Sequence, residues 1–214
     1  MDMETALTKQ PQLICLLADH SCADLYRTEM LDVQDKNCVA HNPSLAQRMD
    51  WQVSRYLKQQ AVLPVLSLSH SKGSAAVLTG DGVSHAGVDL EYMRPRDFAA
   101  LAEWVAAPHE QEYLAQRGWL SEDFYELWTL KEALLKAAGL AFPSDMQRVG
   151  WQYDSDGLKC LHVNQQGAWN GISAKMGNFM LACVWKGQAE CMLEAPRDME
   201  VHITKRWHVC GGNG

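Results

Sequence analysis

Two acidic residues stand two apart in Gly87-Val88-Asp89-Leu90-Glu91, and a third, Glu132, lies in the stretch FYELWTLKEALLKAAG over 124–139. The first segment has strand character. Residues two apart on a strand share a face, so Asp89 and Glu91 project together while Val88 and Leu90 turn away. Neighbouring carboxylates repel unless something positive lies between them. A helix carrying Glu132 beside that strand would bring a third carboxylate to the same point. Three such groups suit a hard divalent cation such as Mg²⁺, which keeps waters and accepts phosphate oxygens as further ligands. Lys131 and Lys136 could then bind the phosphates that the ion bridges. Taken alone, Glu132 and Lys136 also read as a solvated pair four residues apart, a common and weak interaction.

The stretch over 124–139 is expected to be helical. Phe124, Leu127, Trp128, Leu134 and Leu135 recur at spacings of three and four and form one apolar stripe. Ser121 reads as its N-cap, Glu122 and Asp123 suit the positive helix start, and Gly139 suits the left-handed residue after its end. Upstream, the pattern over 43–60 is helical, with Leu45, Met49, Val53, Tyr56 and Leu57 on one side. Arg48, Arg55 and Lys58 fall close to one polar face of it, as a solvated basic face or as a grip for an anion. Strands are expected over 12–18, 64–69 and 75–79, with Ser71-Lys72-Gly73-Ser74 joining the last two. His70 then stands at a strand end between Ser69 and Ser71.

These residues resemble a family. GVDLE (87–91) and FYELWTLKEALLK (124–136) are similar to the two signature motifs of 4′-phosphopantetheinyl transferases, written loosely as G-[IV]-D-[IL]-E and F-x-x-x-W-x-x-K-E-[AS]-x-x-K. Leu68-Ser69-His70-Ser71 looks like the segment that helps those enzymes bind coenzyme A. The three stand in the family's order, and the resemblance covers roughly residues 45–186, nearest to the monomeric, two-lobed type that activates surfactin synthetase. It implies Mg²⁺-dependent transfer of the 4′-phosphopantetheine arm of coenzyme A to a serine of an apo acyl or peptidyl carrier protein, releasing adenosine 3′,5′-bisphosphate. Asp89, Glu91 and Glu132 would hold the metal. Glu132 would act as base, directly or through a metal-bound water, and Lys136 would balance charge on the leaving phosphate. Ser69, His70, Arg48, Arg55, Lys131 and Lys136 would contact coenzyme A. Where many members carry a Gly-Lys-Pro element, this chain has Gln59 to Pro64, QQAVLP, so one basic contact to the nucleotide's 3′ end is missing.

The expected fold is α+β: two similar lobes related by a pseudo-two-fold, each a small antiparallel sheet packed on helices. Residues 1–82 would form the coenzyme A side, 83–190 the metal-bearing lobe and 191–214 a tail, polar and Gly-rich from Ala195 and loosely ordered. Two internal lobes would make a monomer self-sufficient. In the second lobe Asp97 should cap a helix over 98–106. Another helix starts near Pro108, with Glu110 and Glu112 on its surface. Segments over 149–185 alternate between turn signals and imply an antiparallel sheet, with FMLACVW (179–185) buried.

Composition narrows the classes. The 214 residues are 47% apolar and 21% charged, ordinary for a globular chain. The net charge of −7 argues against a nucleic-acid binder. It also requires a local basic patch for an acidic carrier, with Arg94, Arg96, Lys131 and Lys136 as candidates. No apolar run approaches a membrane span and MDMET lacks a signal-peptide charge pattern, so a cytoplasmic protein without membrane partners is expected. Seven cysteines without C-x-x-C spacing suggest neither a disulfide framework nor a zinc site, with most thiols reduced. Two other classes share these features: a Mg²⁺-dependent phosphohydrolase or nucleotidyl transferase acting on another diphosphate, and a non-catalytic interaction protein.

Overall fold

The computed structural model describes residues 11–208 except 155, 158 and 165, with only the backbone of Ala168. In chain order the elements are β1 (Gln12–Ala18), α1 (Val33–His41), α2 (Met49–Gln60), β2 (Val65–Ser71), β3 (Ser74–Asp81), β4 (Ala86–Tyr92), α3 (Phe98–Val105), α4 (Pro108–Gln116), α5 (Ser121–Ala138), β5 (Val149–Tyr153), β6 (Lys159–Val163), β7 (Ala168–Met176), β8 (Phe179–Trp185), β9 (Glu190–Glu194) and β10 (His202–Trp207). They build an α+β fold with two sheets. The first runs β2-β3-β1-β9, and the second runs β4-β8-β7-β6-β5 with β10 also paired to β7. All pairings are antiparallel except β1 with β9, which is parallel.

Four layers result, and each gap between them holds one apolar cluster. Val53 and Leu57 of α2 pack on Ala75 and Val77 of the first sheet. Leu13, Cys15 and Leu78 of that sheet face Val88, Leu90 and Leu181 of the second. On the outer side of the second sheet, Leu127, Leu130 and Leu134 of α5 meet Trp169, Met180 and Ala182. β3 lies between a helix and a sheet, so seven of its eight residues are buried. β8 is buried over Met180–Trp185 for the same reason, as its unbroken apolar run requires.

Several expectations change. α5 begins at Ser121 itself, with Leu120 at the cap position and no side-chain cap bond. Gly139 closes it at φ 67° in the left-handed region, and Asp97 caps α3 by accepting from the Ala100 N–H at 3.0 Å, both as expected. The helix expected over 43–60 breaks at Arg48 into a 3₁₀ turn, Pro43–Gln47, and α2. Met49 therefore leaves the apolar stripe and is half exposed. The loose order expected from Ala195 does not hold over the described part of that stretch, where His202–Trp207 adds to β7, and Glu190–Glu194 just before it joins the first sheet beside β1. Trp207 anchors β10 by burying its ring and donating its indole N–H to Ser173 Oγ at 3.1 Å. Cys15, Cys22, Cys38, Cys183 and Cys191 carry free thiols. No helix among the described residues is long and apolar enough to cross a membrane.

One close approach decides where α5 lies. A side chain at Gly87 would meet the Ala133 carbonyl oxygen at 2.1 Å and the Ala137 nitrogen at 2.9 Å. β4 and α5 can touch backbone to backbone only because that position is glycine. The Gly87→Ala variant is therefore expected to lose about 2 kcal/mol or more of stability by overpacking, read as a lower urea midpoint at unchanged m-value.

Candidate active site

β4 is the edge strand of the second sheet, and its alternation is as expected. Val88 and Leu90 enter the core between the sheets, while Gly87, Asp89 and Glu91 turn the other way, with Gly87 against α5. The edge is closed by side chains of β2 rather than by another backbone ladder. Ser67 Oγ accepts from the Val88 N–H at 3.1 Å, and Ser71 Oγ accepts from the Tyr92 N–H at 3.2 Å. Ser69 donates to Asp89 Oδ1 at 2.8 Å and Ser71 to Glu91 Oε2 at 3.2 Å. Of the three serines at period two, Ser69 and Ser71 thus hold the two carboxylates, while Ser67 pins the backbone of the strand. Sequence reading missed Ser67. Its only signal was the spacing Ser67-Ser69-Ser71 on a strand.

From the helix side, Lys136 reaches across to the same strand. Its ammonium donates to Asp89 Oδ1 at 2.8 Å and to the Val88 carbonyl at 3.0 Å, and a third of its side chain stays exposed. The solvated Glu132–Lys136 pair is therefore not what forms. Asp89 is 2% exposed, and its second oxygen, Oδ2, is buried with no hydrogen-bond partner. Burial first, then the charges of Asp89 and Glu91, push the Glu132 carboxyl up to about 7, against the pull of Lys136 and a hydrogen bond with Trp128. Burial and the Asp89 charge likewise raise Glu91, which Ser71 and Lys136 only partly offset.

The three carboxylates meet as one electrostatic unit. One ammonium cannot neutralise three neighbouring acids, so the repulsion appears as raised proton affinity at Glu91 and Glu132. A divalent cation would remove that repulsion and give Asp89 Oδ2 a partner, so the donor set fits Mg²⁺ in charge and in oxygen chemistry. The fit is not one of preset coordination: among the described residues no three His, Cys, Asp or Glu side chains stand in ligand geometry.

His70 alternates to the opposite side of β2 from the serines and faces the start of α2, with Nδ1 at 3.2 Å from Asp50 Oδ2. Arg48 holds the same carboxylate through two bonds, of 3.2 and 2.8 Å. Burial lowers the His70 pKa, with Arg55, Arg48 and Lys136 adding to it against Asp50, so the ring is neutral near pH 7. At the other end of the carboxylates, Glu91 borders a recess of about 290 Å³ walled by Phe124, Tyr125 and Trp128, with Arg94 and Arg96 also lining it.

Three expected ligand contacts point elsewhere. Arg55 is 8% exposed; its guanidinium donates twice to Asp35, at 3.1 and 2.9 Å, and stacks 3.4 Å from the Trp51 ring. Lys131 is fully buried and bonds to Glu110 at 2.7 Å, so Glu110, expected on the surface, is 1% exposed. Ser69 turns its hydroxyl to Asp89 and not outward. Lys58 is likewise engaged, by Asp32 and Asp35.

Known proteins are similar over this part of the chain. Residues 85–184 match the sequence model of the 4′-phosphopantetheinyl transferase superfamily. A protein of Haemophilus influenzae, provisionally named a 4′-phosphopantetheinyl transferase, is 33% identical over 76 residues, 34% of this chain and 32% of that one. The 4′-phosphopantetheinyl transferase HetI of a Nostoc species is 39% identical over 80 residues, 35% of this chain and 32% of its own. The chain thus spans about a third of the length of the curated relatives it matches. A holo-(acyl-carrier-protein) synthase from Bacillus anthracis, solved in complex with CoA (3′,5′-ADP), aligns over 48% of this chain and 94% of its own at 16% identity, with a TM-score of 0.37. The segment 85–184, which carries Asp89, Glu91, Glu132 and Lys136, is thus the part of the chain that is similar to the 4′-phosphopantetheinyl transferase superfamily.

Proposed function

We propose that this protein transfers the 4′-phosphopantetheine arm of coenzyme A to a serine of an apo carrier protein and releases adenosine 3′,5′-bisphosphate. The observation that carries the reading is the trio of buried Asp89 and half-buried Glu91 and Glu132, short of positive charge, inside the segment shared with the superfamily. Asp89, Glu91 and Glu132 would hold a magnesium ion, which when bound supplies charge neutralisation for the pyrophosphate. The serine oxygen forms a bond to the β-phosphorus of coenzyme A. The bond to the bridging oxygen breaks, and its electron pair leaves on the adenosine bisphosphate.

The chain's own residues divide the remaining work. Glu132 takes the proton of the attacking serine, a task suited to a carboxyl raised toward neutrality. Lys136, tethered to Asp89 and the Val88 carbonyl, keeps an exposed side for the leaving phosphate. On the nucleotide side, His70 and Arg48 are the groups left to meet phosphate, because Arg55 and Lys131 are withdrawn into the core. In this reading residues 1–82 form the lobe that meets coenzyme A, residues 83–190 form the lobe that bears the acids, and a cytoplasmic monomer holds both.

The decisive measurement is the mass of an apo carrier protein after incubation with the chain, coenzyme A and Mg²⁺. A pantetheine adduct supports the transferase. Cleavage of the diphosphate without an adduct would replace it by a hydrolase, and no reaction by a binding protein. Asp89→Asn and Glu132→Gln keep the side-chain shapes and should lower transfer at least about 100-fold in folded protein. Near-normal turnover in either would remove that residue from the mechanism. Chelation should stop transfer and added Mg²⁺ restore it.

His70→Ala and Arg55→Ala should separate in kind. The first should raise the KM for coenzyme A roughly tenfold at unchanged melting temperature, the loss of one charge-assisted contact. The second should cost about 2 kcal/mol of stability, since buried Asp35 loses the Arg55 bonds and keeps only Lys58, with the KM of the folded fraction unchanged. Equal effects on KM would return Arg55 to the ligand site.

A further inference from the structure

Glu132 stands between two sequence neighbours that are both immobilised, and nothing in its own motif explains why one of them, Lys131, is a charged residue at 0% exposure. Fully buried lysines are rare, and replacing a buried ion pair by apolar groups is often neutral for stability. Each donor of this ammonium nevertheless has a partner: Glu110 Oε2 at 2.7 Å, the Met146 carbonyl at 2.9 Å and the Val149 carbonyl at 2.5 Å. Glu110 is equally complete, accepting also from the Ala107 N–H at 2.8 Å and the Trp151 N–H at 3.2 Å. One satisfied network therefore ties α5 to the start of α4 and to the chain entering β5. Gly150 makes room for it. At φ 144° it lies where side chains are disfavoured, and an added Cβ would meet Glu110 Oε1 at 2.0 Å and Lys131 Nζ at 3.0 Å.

The other neighbour, Ala133, is held from the opposite side, where its carbonyl lies against Gly87 of β4. We infer that Glu110, Lys131 and Gly150 form one jaw of a clamp, and Gly87 the other, that sets the position of Glu132 relative to Asp89 and Glu91. Lys131 is then a positioning residue that touches no substrate. A clamp of this kind explains a polar node where apolar packing would serve stability equally: hydrogen bonds fix a helix's rotation and height, whereas greasy contacts let it slide. The inference rests on the transferase reading for its kinetic consequences and on geometry alone for its structural ones.

The test is the double variant Glu110→Gln/Lys131→Met, which removes both charges and keeps their volume. Three measurements are made: melting temperature, steady-state kinetics giving kcat and KM for coenzyme A, and Mg²⁺ affinity by calorimetry on the protein alone. The expected result is a cooperative fold whose melting temperature falls by several degrees, because the Met146 and Val149 carbonyls lose their donor, with kcat of the folded protein lowered at least about tenfold, Mg²⁺ bound about tenfold more weakly, and an unchanged KM. Unchanged kcat and Mg²⁺ affinity would overturn the clamp and leave the pair merely structural. A raised KM with unchanged kcat would also overturn it, making Lys131 a substrate contact. Should the double variant not fold, Glu110→Asp, which keeps the charge but retracts it by one methylene, is judged by the same three readings. If the wild-type chain transfers nothing, the transferase reading fails while the Mg²⁺ titration still decides the clamp.

Discussion

The contact between the α5 backbone and β4 is the constraint on which the rest of this structure depends. Helices usually pack on sheets through side chains, which keep their axes about 10 Å from the strands. Here Gly87 has none, and the helix lies directly on the strand. That approach brings Lys136 within hydrogen-bond reach of Asp89, and Glu132 within the field of two further acids. A larger residue at 87 would push the helix away, and the charges would become ordinary surface groups.

What the approach creates is an electrostatic imbalance that only a low-dielectric site can sustain. Three carboxylates share one ammonium, and burial penalises the charges on Glu91 and Glu132. Exposed to water, the same charges would be weakened by the high dielectric and screened by salt beyond about 8–10 Å. Enclosed, they store repulsion that a divalent cation would relieve, which is how a site comes to prefer one class of ligand. The net charge of the whole chain, −7, says little about this, since the decisive charges are those that burial brings together.

Cations are sorted by the same physics. Of the basic residues near the site, those on inward faces found permanent partners: Arg55 with Asp35, Lys131 with Glu110. Those on outward faces, Arg48, Arg94 and Arg96, stay accessible. A lysine or arginine in a one-dimensional string carries no mark of which it will be. Its fate depends on whether a carboxylate from a distant element arrives first. Glu110 and Lys131 are 21 positions apart, and Asp35 and Arg55 are 20, too far for any helical or strand periodicity to connect them.

The sequence by itself determined the local half of this protein. Period two placed Asp89 and Glu91 on one face of a strand, period three to four made a helix of the Glu132 stretch, and Gly139 and Asp97 marked helix ends, because each is a matter of backbone geometry over a few residues. The motifs that carry the superfamily resemblance are local in the same sense. Tertiary structure alone decided that β2 would close the edge of β4 with three serines, that Glu110 would be buried, and that the segments after Ala189 would return as β9 and β10. Those outcomes depend on which surfaces meet across long stretches of chain. The free energy of such meetings is a property of the assembled core and belongs to no short segment of it.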